Sequence, residues 1–490
     1  MEKKGSITVF LALILSLLLS LVTTGIQSVQ AAAARTQILN SMDIGLYSLF
    51  GQYDRFLMKE YDLFFIDGTQ GSSGLNLGAV YDNLESYMKP VLKQNSQKLT
   101  LKQGGFTGYR LATDEDGEVF FRQAVTFMRD TLGSQGVGLL LDRYHKKEEK
   151  IRQAEEAGRQ SEDGNSLENY DAEMDSAAQK SQEAEAASKA ENGSGANDIF
   201  GSGEESGGNT GGNEIVEAPK PSAVTNPIPV IKQIRKMGLL DLVVPADHGI
   251  SENQVSLSDL VSHRQLQEGI NLPAENIRTS SATSQILYQQ YLMEHLGNYR
   301  EPSTAGLKYQ IEYLLGGKSS DRENLQTVAR RLLLIREGIN VSALMTDASK
   351  RAQIQALALA VASGFLIPPA AVIIETALIL CWSFAESILD VRELMHGGKV
   401  SLTKTSAEWQ LSLENLPNLL ENLDSQRRNS KNGMSYKDYL QILLLSKSKN
   451  EKLVRGMDMI EAEIRNMKGK ENAKKNINSK SRRNCSKNNK

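Results

Sequence analysis

The chain has 490 residues, of which 40% are hydrophobic and 6% aromatic. This length allows two or three domains, and the few aromatic residues favour helices packed through Leu and Ala over a β-sandwich. The two cysteines, Cys381 and Cys485, exclude a disulfide framework and a cysteine zinc site. The net charge of −3 averages two strongly opposed segments, and no nucleic-acid partner is expected.

An apolar segment begins close to the N-terminus. Residues 7–29 contain no ionisable side chain and would extend about 35 Å as a helix, enough to cross the ~30 Å hydrocarbon layer of a bilayer. Lys3 and Lys4 precede this segment and only Arg35 follows it closely. The positive-inside rule therefore predicts a transmembrane helix with residues 1–6 in the cytoplasm and the bulk of the chain outside the cell membrane.

A cleaved signal peptide is the alternative, because the four alanines at 31–34 offer a small-residue cleavage site. However, the helical pattern continues beyond them, which favours a retained anchor that runs on as an extracellular helix to about Phe65. The apolar residues that recur at spacings of three and four are Ile38, Met42, Leu46, Leu49, Tyr53 and Phe56.

One face of the predicted span is polar. Ser16, Ser20, Thr23 and Gln27 recur at helical spacing, and small or polar residues in this arrangement allow close approach of a partner helix in lipid. The alternative is that the hydroxyls only bond to their own backbone, as Ser and Thr commonly do in membrane helices.

Residues 30–150 are predicted to form a membrane-proximal, pilin-like helical region with one β-hairpin. The hairpin would comprise residues 106–113 and 118–121, which flank the turn sequence Asp-Glu-Asp-Gly at 114–117. The aspartates there lack the ligand spacing of a calcium loop, so a plain turn is the preferred interpretation.

Two segments have strongly biased charge. Residues 151–225 are predicted to be an acidic disordered linker, since residues 161–219 hold fourteen Asp and Glu against two Lys and few apolar side chains. Residues 467–490 form a basic tail, predicted to be disordered, with nine Lys and Arg and one Glu from residue 468 onward. Outside the cell this tail could contact anionic cell-wall polymers, or it could be a solubilising tail without a partner.

Residues 226–466 are predicted to be a distal, all-α domain. Its most apolar part, residues 352–389, is divided by Pro368-Pro369 into two segments, and the second carries Glu375 and Glu386. Two carboxylates in lipid would be costly, so a buried helical hairpin is preferred over further membrane spans. The predicted fold class is thus mainly α, with a minor β-hairpin.

The sequence shows no recognisable catalytic, cofactor-binding or metal-binding signature. The five histidines lack the spacing of a helical zinc motif, and the Gly-Gly-Lys-Ser sequence at 316–319 lacks the upstream glycine of a phosphate loop. Glu386 and Asp390 lie four residues apart on one predicted helix, where paired carboxylates could act as acid and base. The preferred interpretation is a structural polar network that joins helices, with Arg330, Arg331 and Arg336 as further candidate partners. Its members would be Glu312, Lys318, Glu386, Asp390 and Arg392.

Several phrases resemble known families. The start, KGSITVFL at residues 4–11, resembles the leader of TadE/TadG-like proteins, the pseudopilins of tight-adherence (Tad) pilus systems, although Phe10 stands where a prepilin has Glu. Three distal phrases and Gly398-Lys399-Val400 resemble an uncharacterised family of clostridial membrane proteins, a domain of unknown function found alongside Tad-type components. These phrases are YQIEYLLGGK at 309–318, RLLLIREG at 331–338 and WSFAESILDVR at 382–392.

The resemblance implies a non-enzymatic, single-pass membrane protein that serves as an accessory of a Tad-type pilus or secretion assembly, with other assembly proteins as partners. The first alternative is a secreted or wall-associated protein released by signal peptidase. The second is an unrecognised surface enzyme that uses Glu386 and Asp390.

Overall fold

The structure is a computed structural model, and it describes residues 4–72, 74–93, 99–163, 167–191, 225–270, 281–304, 306–365, 370–424, 430 and 433–467. The described chain is mainly helical, which confirms the predicted fold class. Its longer helices are α1 (Lys4–Phe50), α3 (Leu77–Lys93), α4 (Asp114–Asp163), α5 (Tyr170–Glu191), α8 (Ala282–His295), α10 (Asp321–Thr346), α11 (Ala348–Phe365), α12 (Ala370–Met395), α14 (Tyr436–Leu445) and α15 (449–467). The shorter elements are α2 (Arg55–Tyr61), α6 (Ile228–Arg235), α7 (Leu239–Val243), α9 (Gln310–Gly316), α13 (Leu419–Asn422), β1 (Lys399–Val400) and β2 (Met434–Ser435).

The chain divides into two compact units. The first comprises residues 1–131 and 265–284, and the second comprises residues 132–264 and 285–490. The predicted boundaries at residues 150 and 226 therefore do not coincide with the observed ones. The second half of α4 buries Ile151 and Ala154 within the second unit, so this helix cannot be assigned to a single membrane-proximal region.

In the first unit, α1 is one helix of 47 residues that packs on α3. Its buried face carries Ser41 and Leu49, and a Cβ added to Gly45 would lie 2.6 Å from the Met88 side chain. The amide of Gln37 donates hydrogen bonds of 3.1 and 3.0 Å to the carbonyls of Val91 and Leu92. This satisfies carbonyls in the last turn of α3, which otherwise have no partner within the helix.

The predicted continuation of α1 to about Phe65 is wrong. The helix ends at Phe50, and α2 begins at Arg55 after a turn. The Asp54 carboxylate accepts from the backbone N–H groups of Phe56 and Leu57 as the N-cap of α2. Because Asp54 caps a new helix, α1 does not continue through this position. Apolar residues recur at helical spacing on both sides of the break.

The hairpin predicted at residues 106–121 is also absent. Residues 118–121 lie in α4, and the positive φ angles of Glu115, Asp116 and Gly117 form a left-handed turn at its start. The reason is the period of the apolar residues, which follows a helix of 3.6 residues per turn rather than the alternation of a strand. The buried side chains are Phe120, Phe121, Ala124, Val125 and Met128. The described β-sheet is instead the antiparallel pair β1–β2 in the second unit.

Residues 151–225 were predicted to be a disordered linker, but most of the described residues in this range are helical. Residues 151–163 belong to α4, and α5 occupies Tyr170–Glu191. Tyr170, Met174 and Ala177 lie on one side of α5 and are buried, and α5 packs on α12. A few apolar residues at spacings of four and three are enough to dock an otherwise acidic helix. Residues 192–224 and the basic tail from residue 468 lie outside the described residues.

The core of the second unit is built around α10 and α12, which pack on each other. Helix α10 also lies very close to α4, because a Cβ at Gly158 would be 2.0 Å from the Leu334 carbonyl oxygen and one at Gly338 would be 2.0 Å from that of Ala154. Helix α12 is apolar and long enough to cross a membrane, but 67% of its most apolar window is buried inside the protein. This degree of burial is typical of the core helix of a folded domain. Pro368 and Pro369, which are predicted to divide the apolar segment, lie outside the described residues.

Candidate functional site

Glu386 and Asp390, the paired carboxylates of α12, are brought together with two cations in the core of the second unit. The Lys404 ammonium lies 2.6 Å from Glu386 Oε1 and 2.7 Å from Asp390 Oδ1. The Arg336 guanidinium donates to Asp390 Oδ2 from Nε at 3.1 Å and from Nη2 at 2.9 Å. We call these four residues the buried charge cluster. The side chains of its two carboxylates and two cations are at most 2% exposed. When all four are ionised, their charges sum to zero.

The elements around the cluster explain this geometry. Arg336 and Asn340 lie one turn apart on α10 and face Asp390 on α12, and Asn340 Nδ2 donates to Asp390 Oδ2 at 3.1 Å. Glu386 accepts from the backbone N–H groups of Gln410 and Leu411 at 2.8 and 3.0 Å. Hydrogen bonds from several elements therefore hold each carboxylate, which is the condition under which buried charge is tolerated.

The electrostatics follow from burial and from the two cations. Burial raises the pKa of Glu386. Burial alone would also raise the pKa of Asp390, but the charges of Arg336 and Lys404 outweigh it and hold that pKa below its usual value. A substrate cannot reach either carboxylate in this structure, because their side chains are 0% and 1% exposed. The geometry thus supports fastening of α10, α12 and the segment after β1 rather than acid–base catalysis.

The other predicted members of the polar network lie elsewhere. Arg392 donates to Asp424 Oδ1 and to the carbonyls of Leu242 and Val244. Lys318 has an exposed side chain, and its backbone N–H donates to Asn324. The members of the single predicted network therefore lie in four separate places, with Glu312 in the fourth.

Of the arginines considered as partners, only Arg336 joins the cluster, since Arg330 and Arg331 pair with Glu162 and Glu155. Arg336 lies on the same side of α10 as the buried residues Val328, Leu332 and Ile335. The spacing of these apolar residues is the sequence signal that separates Arg336 from the other two arginines. Lys404 was missed. It lies in an irregular segment after β1, where no periodic pattern predicts its direction.

Glu312 on α9 is fully buried among tyrosines. Its Oε1 accepts from the Tyr436 hydroxyl at 2.6 Å and from the backbone N–H of Tyr299 at 2.9 Å. Its Oε2 has no hydrogen-bond partner among the described residues. Burial raises the pKa of Glu312 to about 7, and burial likewise raises the pKa of Glu337 on α10 to about 7.

These two carboxyl groups predict how stability depends on pH. A folded-state pKa above the unfolded value means that the folded chain binds more protons between the two values. The contribution of each of these groups to stability is therefore complete below about pH 4.5 and is lost as pH rises to about 7. Replacing Glu312 by Gln should remove its share, roughly 3 kcal/mol. Urea unfolding at pH 5 and 7.5 measures this, and an unchanged pH dependence in Glu312→Gln would contradict it.

Asp247, His248 and His396 form a second polar cluster, with candidate metal-ligating atoms all within 4.8 Å of one another. However, His248 Nε2 lies 2.9 Å from Arg300 Nη1, and its Nδ1 lies 3.0 Å from Asp247 Oδ1. Arginine can only donate, so Nε2 accepts and the Nδ1–H donates to Asp247. Neither ring nitrogen then offers a lone pair to a cation, and the guanidinium would repel one. The residues present do not fit a metal.

The four polar residues of the predicted interaction face are all exposed on α1. Ser16 Oγ donates to the Leu13 carbonyl at 3.1 Å, and Thr23 Oγ1 donates to the Leu19 carbonyl at 2.7 Å. These hydroxyls are therefore satisfied within their own helix, as the alternative interpretation expects. With Ser20 and Gln27 they still form one face of small or polar residues along which another helix could approach.

Comparison with known proteins places most of the second unit in a family of unknown function. A model described as a family of unknown function (DUF5702) matches residues 217–478, a little more than half of the chain. No curated protein matches the chain, and no solved structure does. The matched region contains the buried charge cluster and most of the second unit.

Proposed function

Because the chain belongs to the family of unknown function DUF5702, which brings no activity with it, we propose a function from physical features: a non-enzymatic, single-pass membrane protein that is an accessory component of a Tad-type pilus or secretion assembly. The bulk of the chain would lie outside the cell membrane, anchored by α1. The tight-adherence part of this proposal comes from the resemblance of residues 4–11 and of the distal phrases.

The observation that carries the proposal is the length and exposure of α1. An N-terminal apolar helix is present, and the described residues of its most apolar window have a mean hydropathy of 2.5 and are 0% buried. The helix continues 21 residues past the predicted span to Phe50. There one face packs on α3, while Ile38, Leu39 and Met42 remain exposed. A plain tether needs neither this length nor exposed apolar side chains, whereas a helix that binds partners does.

The sealed charge cluster supports the non-enzymatic part. Its carboxylates were the best catalytic candidates in the sequence, and they are occupied by Arg336, Lys404 and backbone N–H groups. The basic tail provides a further candidate contact, with anionic cell-wall polymers, by charge attraction alone.

Replacing Ser16, Ser20, Thr23 and Gln27 by Leu tests the proposal. Insertion should be retained, because Leu favours the membrane more than these residues do, whereas co-purification with Tad-type assembly proteins should be lost because the bulkier face prevents close helix packing. Leu18→Ala with Leu21→Ala, on the opposite side of the span, is the matched control. If the four-Leu variant co-purified unchanged, α1 would be only a tether. Genes for a Tad ATPase and membrane platform should neighbour this one, and their absence would count against the assembly.

A second candidate is a secreted or wall-associated protein. It is favoured by the run of alanines at 31–34, which is exposed or partly exposed on α1 and suits signal peptidase. In this case the mature chain would lack the span and would be held at the wall by its basic tail.

A further inference from the structure

Residues 253–256 are an extended segment that pairs on one edge only. They run beside residues 319–321 as an antiparallel bridge between Gln254 and Ser320. The N–H of the residue after Gln254 donates across the bridge at 2.9 Å, and the carbonyl of the residue before it accepts at 3.0 Å. Backbone groups of successive residues in a strand point to opposite edges, so the N–H and carbonyl of Gln254 point away from the bridge. Neither has a hydrogen-bond partner among the described residues, and we call this side of the segment the open edge.

The open edge faces a cleft of about 480 Å³ whose opposite wall is formed by the last two turns of α15. Side-chain amides stand on both walls, Gln254 on the edge and Asn466 on the helix. Neither amide has a hydrogen-bond partner among the described residues. An amide donates and accepts as a peptide group does, so the cleft offers backbone and side-chain partners to an extended chain.

The open edge carries none of the residues that usually prevent pairing with a further strand. Its sequence, Asn-Gln-Val-Ser, contains neither Pro nor Lys. An unpaired edge without such residues is a template for another extended segment. Four residues span about 13 Å at ~3.3 Å each, so the edge accommodates an added strand of three or four residues.

The chain itself supplies a segment at this cleft. Asn466 lines the cleft and Met467 is the last described residue of α15, so residues 468–478 begin beside it. The family match also extends to residue 478, which places this segment in the same domain as the cleft. Ile477 follows Met467 by ten residues, and an extended chain of that length reaches up to about 33 Å. This is enough for a turn and a return along the open edge.

The segment also matches the cleft in its side-chain chemistry. Ile477 is its only large apolar residue, and Lys475 shares one side of an extended strand with it. Asp259 lines the cleft, is exposed and forms no ion pair with a described residue, whereas Glu461 and Arg465 pair with each other at 2.8 Å. The apolar side chains that line the cleft are Val255, Leu260 and Ala462.

We propose that the residues around Ile477 pair with the open edge as an added strand, with Ile477 in the cleft and Lys475 beside Asp259. Main-chain hydrogen bonds to Gln254 hold the segment, and the lysine adds one ion pair at the rim. This docking is independent of the proposed function. It leaves five of the nine Lys and Arg residues of the basic tail beyond residue 478, where they remain available to anionic polymers.

Hydrogen exchange of the full-length chain in detergent tests the pairing, with a chain that ends at Met467 for comparison. The N–H groups of Gln254 and Ser256 should exchange about tenfold more slowly in the full-length chain, because both point to the open edge and each gains a partner there. The N–H of Val255 already donates to the Ser319 carbonyl, so it should exchange at one rate in both chains and shows that the fold is retained. Equal rates for Gln254 in the two chains, whether fast or slow, would overturn the proposal.

Two pairs of variants separate docking from folding. Gln254→Pro removes the outward N–H and leaves the bonds to residues 319–321, as proline on an edge strand does, whereas Gln254→Ala keeps the N–H. The N–H of Ser256 should exchange at the rate of the shortened chain in the Pro variant and should remain slow in the Ala variant. Ile477→Asp should act like Gln254→Pro, and Asn478→Asp, which adds the same charge on the other side of the strand, should have no effect. If the Pro and Ala variants behaved alike, or the two Asp variants did, the proposed pairing would be wrong.

Discussion

Replacing Arg336 by Met should lower the free energy of unfolding of the second unit by about 3–5 kcal/mol. The side chain is fully buried, and its removal leaves Asp390 with one cation while Glu386 and Asp390 remain close together. The chain offers a specific probe, since its only two tryptophans, Trp382 and Trp409, are in ring contact at 5.2 Å in this unit. Urea unfolding of the full-length chain in detergent, followed by tryptophan fluorescence, measures the change.

Two controls make this result interpretable. Arg322→Met removes an arginine that pairs with Glu252 at the surface, where the side chains are 47% and 64% exposed, and it should cost less than about 1 kcal/mol. Adding Asp390→Asn to Arg336→Met should recover much of the loss, because the remaining Glu386–Lys404 pair is then balanced. If Arg336→Met were no more damaging than Arg322→Met, the cluster would not fasten the helices.

Replacing Leu15 and Leu18 by Arg should release the chain from the membrane. Each Arg near the centre of a span costs about 2.5–3.5 kcal/mol, so two of them offset the roughly 6 kcal/mol that thirteen Leu, Ile, Val and Phe residues contribute to insertion. Flotation of vesicles carrying the full-length chain measures the fraction that stays bound. Ile44→Arg, an exposed position on α1 beyond the span, is the control and should float like the unaltered chain.

A double variant that still floated and resisted extraction at high pH would mean that α1 is not the anchor. In that case α12, the other described helix that is long and apolar enough to cross a membrane, would have to be reconsidered. Its burial in the second unit predicts that it takes no part, because Ile374, Leu378 and Trp382 already pack inside the protein.

The sequence predicted those elements whose apolar residues repeat at one helical period over many residues. The span, α10 and α12 were predicted in this way. The sequence left Arg330, Arg331 and Arg336 open as partners for the carboxylates of α12, and burial on α10 selects Arg336. Period alone does not show where a helix stops. The apolar stripe of α1 continues past Phe50, and the helix nevertheless ends because Asp54 caps a new one.

Other features depended on contacts between residues far apart in the sequence. Composition predicted that residues 170–191 are disordered, but Tyr170, Met174 and Ala177 give α5 one buried side, so the helix has somewhere to dock. Lys404 completes the charge cluster from an irregular segment. The hairpin predicted at 106–121 is absent because the helical spacing of Phe121, Val125 and Met128 outweighs the turn sequence at 114–117.

We expect α1 to remain part of the mature protein and to anchor it. N-terminal sequencing of the chain recovered from membranes tests this directly. We expect a start at Met1. A start at Ser6 would also keep the anchor and would indicate prepilin-type processing after Gly5. A start within or just after the alanines at 31–34 would contradict the account, because it would show that signal peptidase removes the span.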